Sequence, residues 1–232
     1  MSRPDGRPTI VVAHGAWHRP SSWDATREAL AGLGYQTRVP ALPSAGREPA
    51  PTASMYDDAE VLRREVAAVD GPVAVLAHSY GGVPTAQGVA DPTRVTRLVF
   101  VAAYLLDEGE SIFTFHRLAT PEDTSGTFPL IRNPRVALYH DMPDAPAGQA
   151  LDGLVAQSLR SFTDPVTTAA WRDIPSTYVV CADDRALRPV HQEKMSARAT
   201  TRRRLAGGHS PYLAAPERFA ALVDEILRSD LA

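Results

Sequence analysis

The sequence predicts an α/β fold: a mostly parallel, doubly wound sheet with a cap inserted before the penultimate strand. Three observations carry this expectation. Short, wholly apolar runs alternate with amphipathic segments, and a strand without a polar side is one covered by helices on both faces. A long stretch over residues 107–171, rich in proline and scattered aromatics, breaks the alternation, which then resumes. Finally, 232 residues with 44% hydrophobic content suffice for one full core and would crowd two. We therefore expect a single domain over 1–232, with the core at 1–106 and 172–232 and the cap at 107–171.

The elements follow in order. Residues 9–13 form a β-branched run that stops at His14-Gly15, a turn signal. Ser21 and Ser22 are candidate caps for a helix reaching Leu33, and Gly34 ends it. Residues 35–39 read as a strand and 40–51 as a loop. Ser54 with Asp57 resembles a capping box for a helix that buries Leu62, Val66 and Val69. Gly71-Pro72 breaks that helix before the apolar strand 73–77. A helix runs from after Ser79 to about Ala90, and 98–103 is a further strand. Beyond the cap come a strand at 177–182, a helix at 189–199 and a short strand near 203–205. The last helix spans 216–228, with Phe219, Leu222, Val223, Ile226 and Leu227 on its core face.

Composition excludes several function classes. A net charge of -3 with no basic stripe argues against nucleic acid. No apolar run approaches the ~18 residues of a membrane helix. The polar stretch 1–8 lacks an apolar leader core, so a cytoplasmic location is the expectation. Cys181 is the only cysteine, which removes internal disulfides, and it reads as a small buried residue. The single lysine, Lys194, among many arginines reads as the imprint of a GC-rich genome. No histidine pair has metal-ligand spacing, and no dinucleotide or phosphate loop occurs, so neither metal nor cofactor is expected.

The chemistry centres on Ala77-His78-Ser79-Tyr80-Gly81-Gly82, between an apolar strand and a helix. That is the context of a nucleophile elbow, whose small flanking residues let strand and helix backbones approach around a strained serine. Ala77 replaces the usual glycine, one methyl larger. Such a serine needs a base, and in this fold the order is serine, acid, histidine. His209, in Gly207-Gly208-His209, sits late enough to serve. Asp183 and Asp184 both lie where the acid belongs; Asp184 is preferred, although spacing alone leaves the reverse assignment open. Backbone N–H groups of Tyr80 and of Ala16, in the loop after the first strand, are the oxyanion donors expected. His78 reads as packing behind the elbow, and His14 as bracing its loop. His116, His140 and His191 read as structural or exposed. Candidate substrate contacts are Trp17 and His18 in the first loop and Phe113, Phe115, Leu118, Leu130 and Tyr139 in the cap, the latter five with plain cap packing as the competing role.

These residues resemble the methylesterase and hydroxynitrile-lyase branch of the α/β-hydrolases, which includes plant salicylate-binding methylesterases. The resemblance runs from Val11-Val12-Ala13-His14-Gly15-Ala16 to the final helix. It takes in Trp17-His18, the elbow, Phe100-Val101-Ala102-Ala103-Tyr104, Tyr178-Val179-Val180-Cys181-Ala182-Asp183-Asp184 and Gly208-His209; the cap is the least family-specific part. It implies Asp184 as the acid and Ala16 as an oxyanion donor, and by analogy a homodimer. The lyases carry a threonine after the first loop histidine and a lysine after the catalytic one. Here these positions are Gly15 and Ser210, so the cyanide-stabilising charge is missing.

The expected function is hydrolysis of a small carboxylic ester, apolar or aromatic, through an acyl-enzyme. Two other readings compete: a lyase, lactonase or natural-product tailoring enzyme on the same fold, and a non-catalytic small-molecule-binding protein. A screen on aryl esters separates the last from the rest.

Overall fold

The computed structural model describes residues 6–47 and 49–229; most of the N-terminal stretch read from the sequence, residues 1–5, lies outside it. The first strand, β1 (Thr9–Ala13), is wholly buried. A 3-10 turn at Pro20–Trp23 leads into α1 (Asp24–Gly32), so neither Ser21 nor Ser22 caps that helix. The Ser22 hydroxyl instead turns back to the Arg19 carbonyl at 2.7 Å. Gly34 ends the segment as expected, at φ +88°. The strand expected over 35–39 shrinks to β2 (Thr37–Arg38), an edge strand paired only with β1.

Within the expected loop lies β3 (Ala45–Gly46). Next comes α2 (Met55–Ala67), capped as the sequence indicated. Ser54 Oγ accepts from the Asp57 N–H at 3.1 Å, and Asp57 accepts from the Ser54 N–H at 2.7 Å. Then follow β4 (Val73–His78), α3 (Gly82–Gly88) and β5 (Val95–Val101). The intervening segment holds α4 (Ile112–Phe115), β6 (Thr127–Phe128), α5 (Pro134–Tyr139), α6 (Asp144–Asp152), β7 (Ala156–Ser158) and α7 (Arg160–Thr163). The chain returns to the main sheet with β8 (Ser176–Cys181), α8 (Pro189–Ser196) and β9 (Thr201–Leu205), and closes with α9 (Pro211–Ala214) and α10 (Pro216–Arg228).

Six strands form one parallel sheet in the order β2-β1-β4-β5-β8-β9. The period of two along each strand divides its side chains between two cores. Val11, Val75, Phe100 and Val180 point to the layer of α2 and α3, with Leu62, Val66 and Val83. Ile10, Val12, Leu76, Val99 and Val179 point to the layer of α1 and α10, with Leu30, Phe219 and Val223. That double burial is why these strands read as unbroken apolar runs.

A second, antiparallel sheet, β3-β7-β6, joins the pre-cap loop to the cap, with Ala45 opposite Gln157. The helical part of the cap has its own small core of Ala137, Leu138, Tyr139, Met142 and Ala147. Among the described residues no helix is long and apolar enough to cross a membrane.

Candidate active site

The end of β4 delivers Ser79 onto a left-handed turn at φ +52°, a conformation that costs a non-glycine residue about 1–2 kcal/mol. Close backbone approach makes that turn possible. A Cβ on Gly81 would lie 2.2 Å from the Ala13 carbonyl oxygen, and one on Gly82 would lie 2.1 Å from that of Tyr104. Both positions therefore require glycine. At position 77 the extra methyl is accommodated, fully buried. The Tyr104 N–H donates to the Ser79 carbonyl at 3.0 Å and holds the turn from the other side.

His209, which follows β9, reaches across the strand ends. Its Nε2 lies 3.1 Å from Ser79 Oγ, and its Nδ1 lies 2.7 Å from Asp184 Oδ2. A carboxylate only accepts, so Nδ1 carries the proton and Nε2 is free to take the serine's. Asp184 is buried and well supplied with donors. Its Oδ1 accepts the Ala186 and Leu187 N–H groups at 2.8 and 2.9 Å, and its Oδ2 also accepts Gln192 Nε2 at 2.8 Å. Asp183 is exposed and exchanges two hydrogen bonds with Gly207, its N–H donating to the Gly207 carbonyl and its carboxylate accepting the Gly207 N–H. Of the two aspartates that spacing left open, Asp184 is the one that faces the imidazole.

Gln192 escaped sequence reasoning. It is buried on α8, donates to Asp184 and to the Leu187 carbonyl, and accepts the Cys181 N–H. A lone glutamine on a helix has no spacing signal, so only its burial reveals it.

The other histidines occupy supporting positions. His78 Nε2 donates to the His209 carbonyl at 2.8 Å, packing behind the elbow, and burial holds its pKa well below the ordinary value. His14 donates to the Gly15 carbonyl and accepts the Leu42 N–H. Burial lowers its pKa to about 4. His18 donates to the Ala16 carbonyl and accepts from the Tyr139 hydroxyl, both at 2.7 Å, and burial lowers its pKa to about 3. These three rings are neutral struts at physiological pH.

Ala16 and Tyr80 flank the serine on the two loops expected. Beside Ala16, Trp17 adopts φ +61° and its ring packs against Phe128 and Phe162, at centroid distances of 6.3 and 5.7 Å.

The remaining candidate contacts separate. Phe113 joins this aromatic group through Phe128. Phe115 sits apart, against Tyr104, His116 and His191. His18 and Tyr139 are buried against each other and border a cleft of about 380 Å³ whose walls include neither Ser79 nor His209. Leu118 and Leu130 lie at the surface, 49% and 42% exposed. Apolar character in a proline-rich cap does not say which way a side chain points. Among the described residues no group of three or more histidine, cysteine or acidic side chains could hold a metal ion.

The two positions that distinguish the lyases are both enclosed. A Cβ on Gly15 would lie 2.9 Å from His78 Nδ1 and 3.1 Å from Ser79 Cβ. Ser210 is fully buried.

Comparison with known proteins agrees with this architecture. The model of a family described as the alpha/beta hydrolase family matches residues 10–222. The chain is 28% identical to a protein of Aspergillus novofumigatus named alpha/beta hydrolase nvfD, over 91% of this chain and 93% of that one. Its fold is shared with a pyrethroid hydrolase from Sphingobium faniae, at TM-score 0.76 and 22% identity over 95% and 97% of the two chains. It is likewise shared with a methylesterase from Arabidopsis, at TM-score 0.79 and 18% identity over 95% and 99%.

Proposed function

The chain belongs to the α/β-hydrolase family, and from that premise we propose that it is a serine hydrolase cleaving a small carboxylic ester through an acyl-enzyme. The observation that carries the proposal is the relay from Ser79 Oγ to His209 Nε2 at 3.1 Å and from His209 Nδ1 to Asp184 at 2.7 Å. Ser79 attacks the ester carbonyl as its proton passes to His209. Asp184 stabilises the imidazolium and fixes its orientation. The Ala16 and Tyr80 N–H groups receive the charge that develops on the carbonyl oxygen. His209 then protonates the leaving alcohol, and a water activated by the same ring releases the acid.

The Trp17–Phe128–Phe162 aromatic group, next in the chain to Ala16, supports an apolar or aromatic acid as the acyl part. Structural neighbours named as a pyrethroid hydrolase and a methylesterase support an ester substrate. The two lyase-specific positions argue the same way, since Gly15 has no hydroxyl to offer and Ser210 no charge.

The test pairs an aryl acetate with a cyanohydrin, each with the wild type and with Ser79→Ala. Ser79-dependent turnover of the ester, faster than that of the cyanohydrin, is expected. Faster cyanohydrin cleavage would replace hydrolysis by the lyase reading, and no Ser79-dependent turnover of either would leave a binding protein.

A further inference from the structure

One buried hydrogen-bond chain links the two loops that carry the oxyanion donors. It begins at Trp17, whose N–H donates to Gln157 Oε1 at 3.1 Å. The Trp17 carbonyl is held as well, by the Val155 N–H at 2.9 Å. Both polar groups of this left-handed residue are thus gripped by the cap segment that includes β7. Gln157 passes the connection on, donating through Nε2 to Ser44 Oγ and to Ser161 Oγ, both at 2.7 Å. Ser44 donates its hydroxyl and its N–H to Asp58, the N–H at 2.9 Å. Asp58 Oδ2 also accepts the Tyr80 hydroxyl at 2.5 Å, and Tyr80 supplies the second oxyanion N–H.

Gln157, Ser44 and Asp58 are fully buried. Polar groups taken out of water at this cost are retained where each finds a partner, and a fully satisfied network fixes geometry. Plain core packing would be served by apolar side chains of the same volume. The endpoints say more than the burial does, because the chain terminates on the residue after Ala16 and on Tyr80 itself. Burial raises the Asp58 pKa to about 6, as expected of a carboxyl whose only compensation is the donors around it.

We infer that Gln157, acting through Ser44 and Asp58, is a positioning residue for the oxyanion hole, clamping the Ala16–Trp17 peptide to the cap and tying it to Tyr80. The inference rests on the oxyanion assignment proposed above. Neither Gln157 nor Asp58 touches the reacting atoms; they set where the two N–H groups stand relative to each other.

The test uses Gln157→Met, which keeps bulk and removes both polar functions, and Tyr80→Phe, which cuts the same chain from its other end while keeping the backbone donor. Three readouts are taken: kcat and KM on an aryl acetate, Ki for an aryl trifluoromethyl ketone, and amide hydrogen exchange of residues 14–18. Deleting a whole oxyanion donor costs about 10²–10³ in rate, so a displaced one should cost about 10-fold. The expected result for both variants is that loss in kcat, with KM within about 2-fold and Ki rising as kcat falls. Exchange at 14–18 should accelerate in Gln157→Met. Unchanged exchange there in the folded variant overturns the inference, as does faster exchange with wild-type Ki. If Gln157→Met does not fold, Tyr80→Phe decides through kcat and Ki. If the wild type shows no Ser79-dependent turnover, the esterase reading fails, while exchange still decides whether the chain holds the loop.

Discussion

Replacing Asp184 by asparagine exchanges one acceptor oxygen for a donor NH2, and the structure dictates the consequence for either orientation of the amide. If the NH2 replaces Oδ1, it faces the Ala186 and Leu187 N–H groups, and two hydrogen bonds become donor against donor. If it replaces Oδ2, it faces Gln192 Nε2 and His209 Nδ1. In that second orientation His209 relieves the clash by moving its proton to Nε2, where it points at Ser79 and the ring cannot act as base. Both orientations also lose the negative charge that stabilises the imidazolium. The expected loss in kcat is of order 10⁴, which corresponds to about 5 kcal/mol at 1.36 kcal/mol per tenfold. Asp183→Asn alters only an exposed hydrogen bond to the Gly207 N–H and should change kcat by less than about 3-fold. The assay is steady-state hydrolysis of an aryl acetate by both variants, with near-ultraviolet circular dichroism to establish that each is folded. A crippled Asp183→Asn beside a near-normal Asp184→Asn would refute the reasoning.

Ser79→Ala and His209→Ala should each lower kcat by about 10⁴ and the double variant little more, because the two act on one proton; independent multiplication of the losses in steady-state assays would contradict the relay. Gly81→Ala should prevent correct assembly of the elbow, since its Cβ would stand 2.2 Å from the Ala13 carbonyl oxygen; loss of cooperative urea unfolding is the readout, and a stable, active variant is the contrary result. Gly15→Thr, the lyase-like substitution, should destabilise the fold by about 1–3 kcal/mol through overpacking against His78, measured by urea denaturation. The last prediction concerns acid. His14 and His18 have folded pKa values lowered to about 4 and about 3, so below pH 6.5 the unfolded chain binds protons that the buried rings refuse. Their stability contribution is present above 6.5 and is lost as pH falls toward 4 and 3, about 3 kcal/mol for His14 alone. Asp58, with its pKa raised to about 6, acts in the opposite sense: its contribution is present below the unfolded value of 3.8 and lost as pH rises through 6. The histidines outweigh it, so stability should decline from pH 6.5 to 4 in chemical denaturation, more steeply in Asp58→Asn than in the wild type. A flat profile would show that these rings are accessible to protons.

The legibility of this protein follows the range of the forces involved. β1, β4, β8 and α10 were plain in the sequence because burial on two faces, or on one helical stripe, is written in consecutive residues. So was the capping box at Ser54. β2 and β3 are two residues long and take their identity from the strand they meet, so no periodicity announces them. Neither Ser21 nor Ser22 caps the helix because a 3-10 turn over Pro20–Trp23 takes up both and moves the helix start to Asp24.

At the candidate site the division is the same. The sequence alone determined the elbow, since a strained turn between a strand and a helix needs small residues at fixed offsets from Ser79. It also placed His209 and an aspartate pair in the order the fold demands. Only the tertiary structure faced Asp184 rather than Asp183 to the imidazole, put Leu118 and Leu130 at the surface, and joined Trp17 to Gln157 across 140 residues of chain. Backbone sterics and capping act between neighbours and leave a local signature. A buried polar contact depends on which distant segments the packed core brings together, and a single glutamine has no neighbour that encodes it.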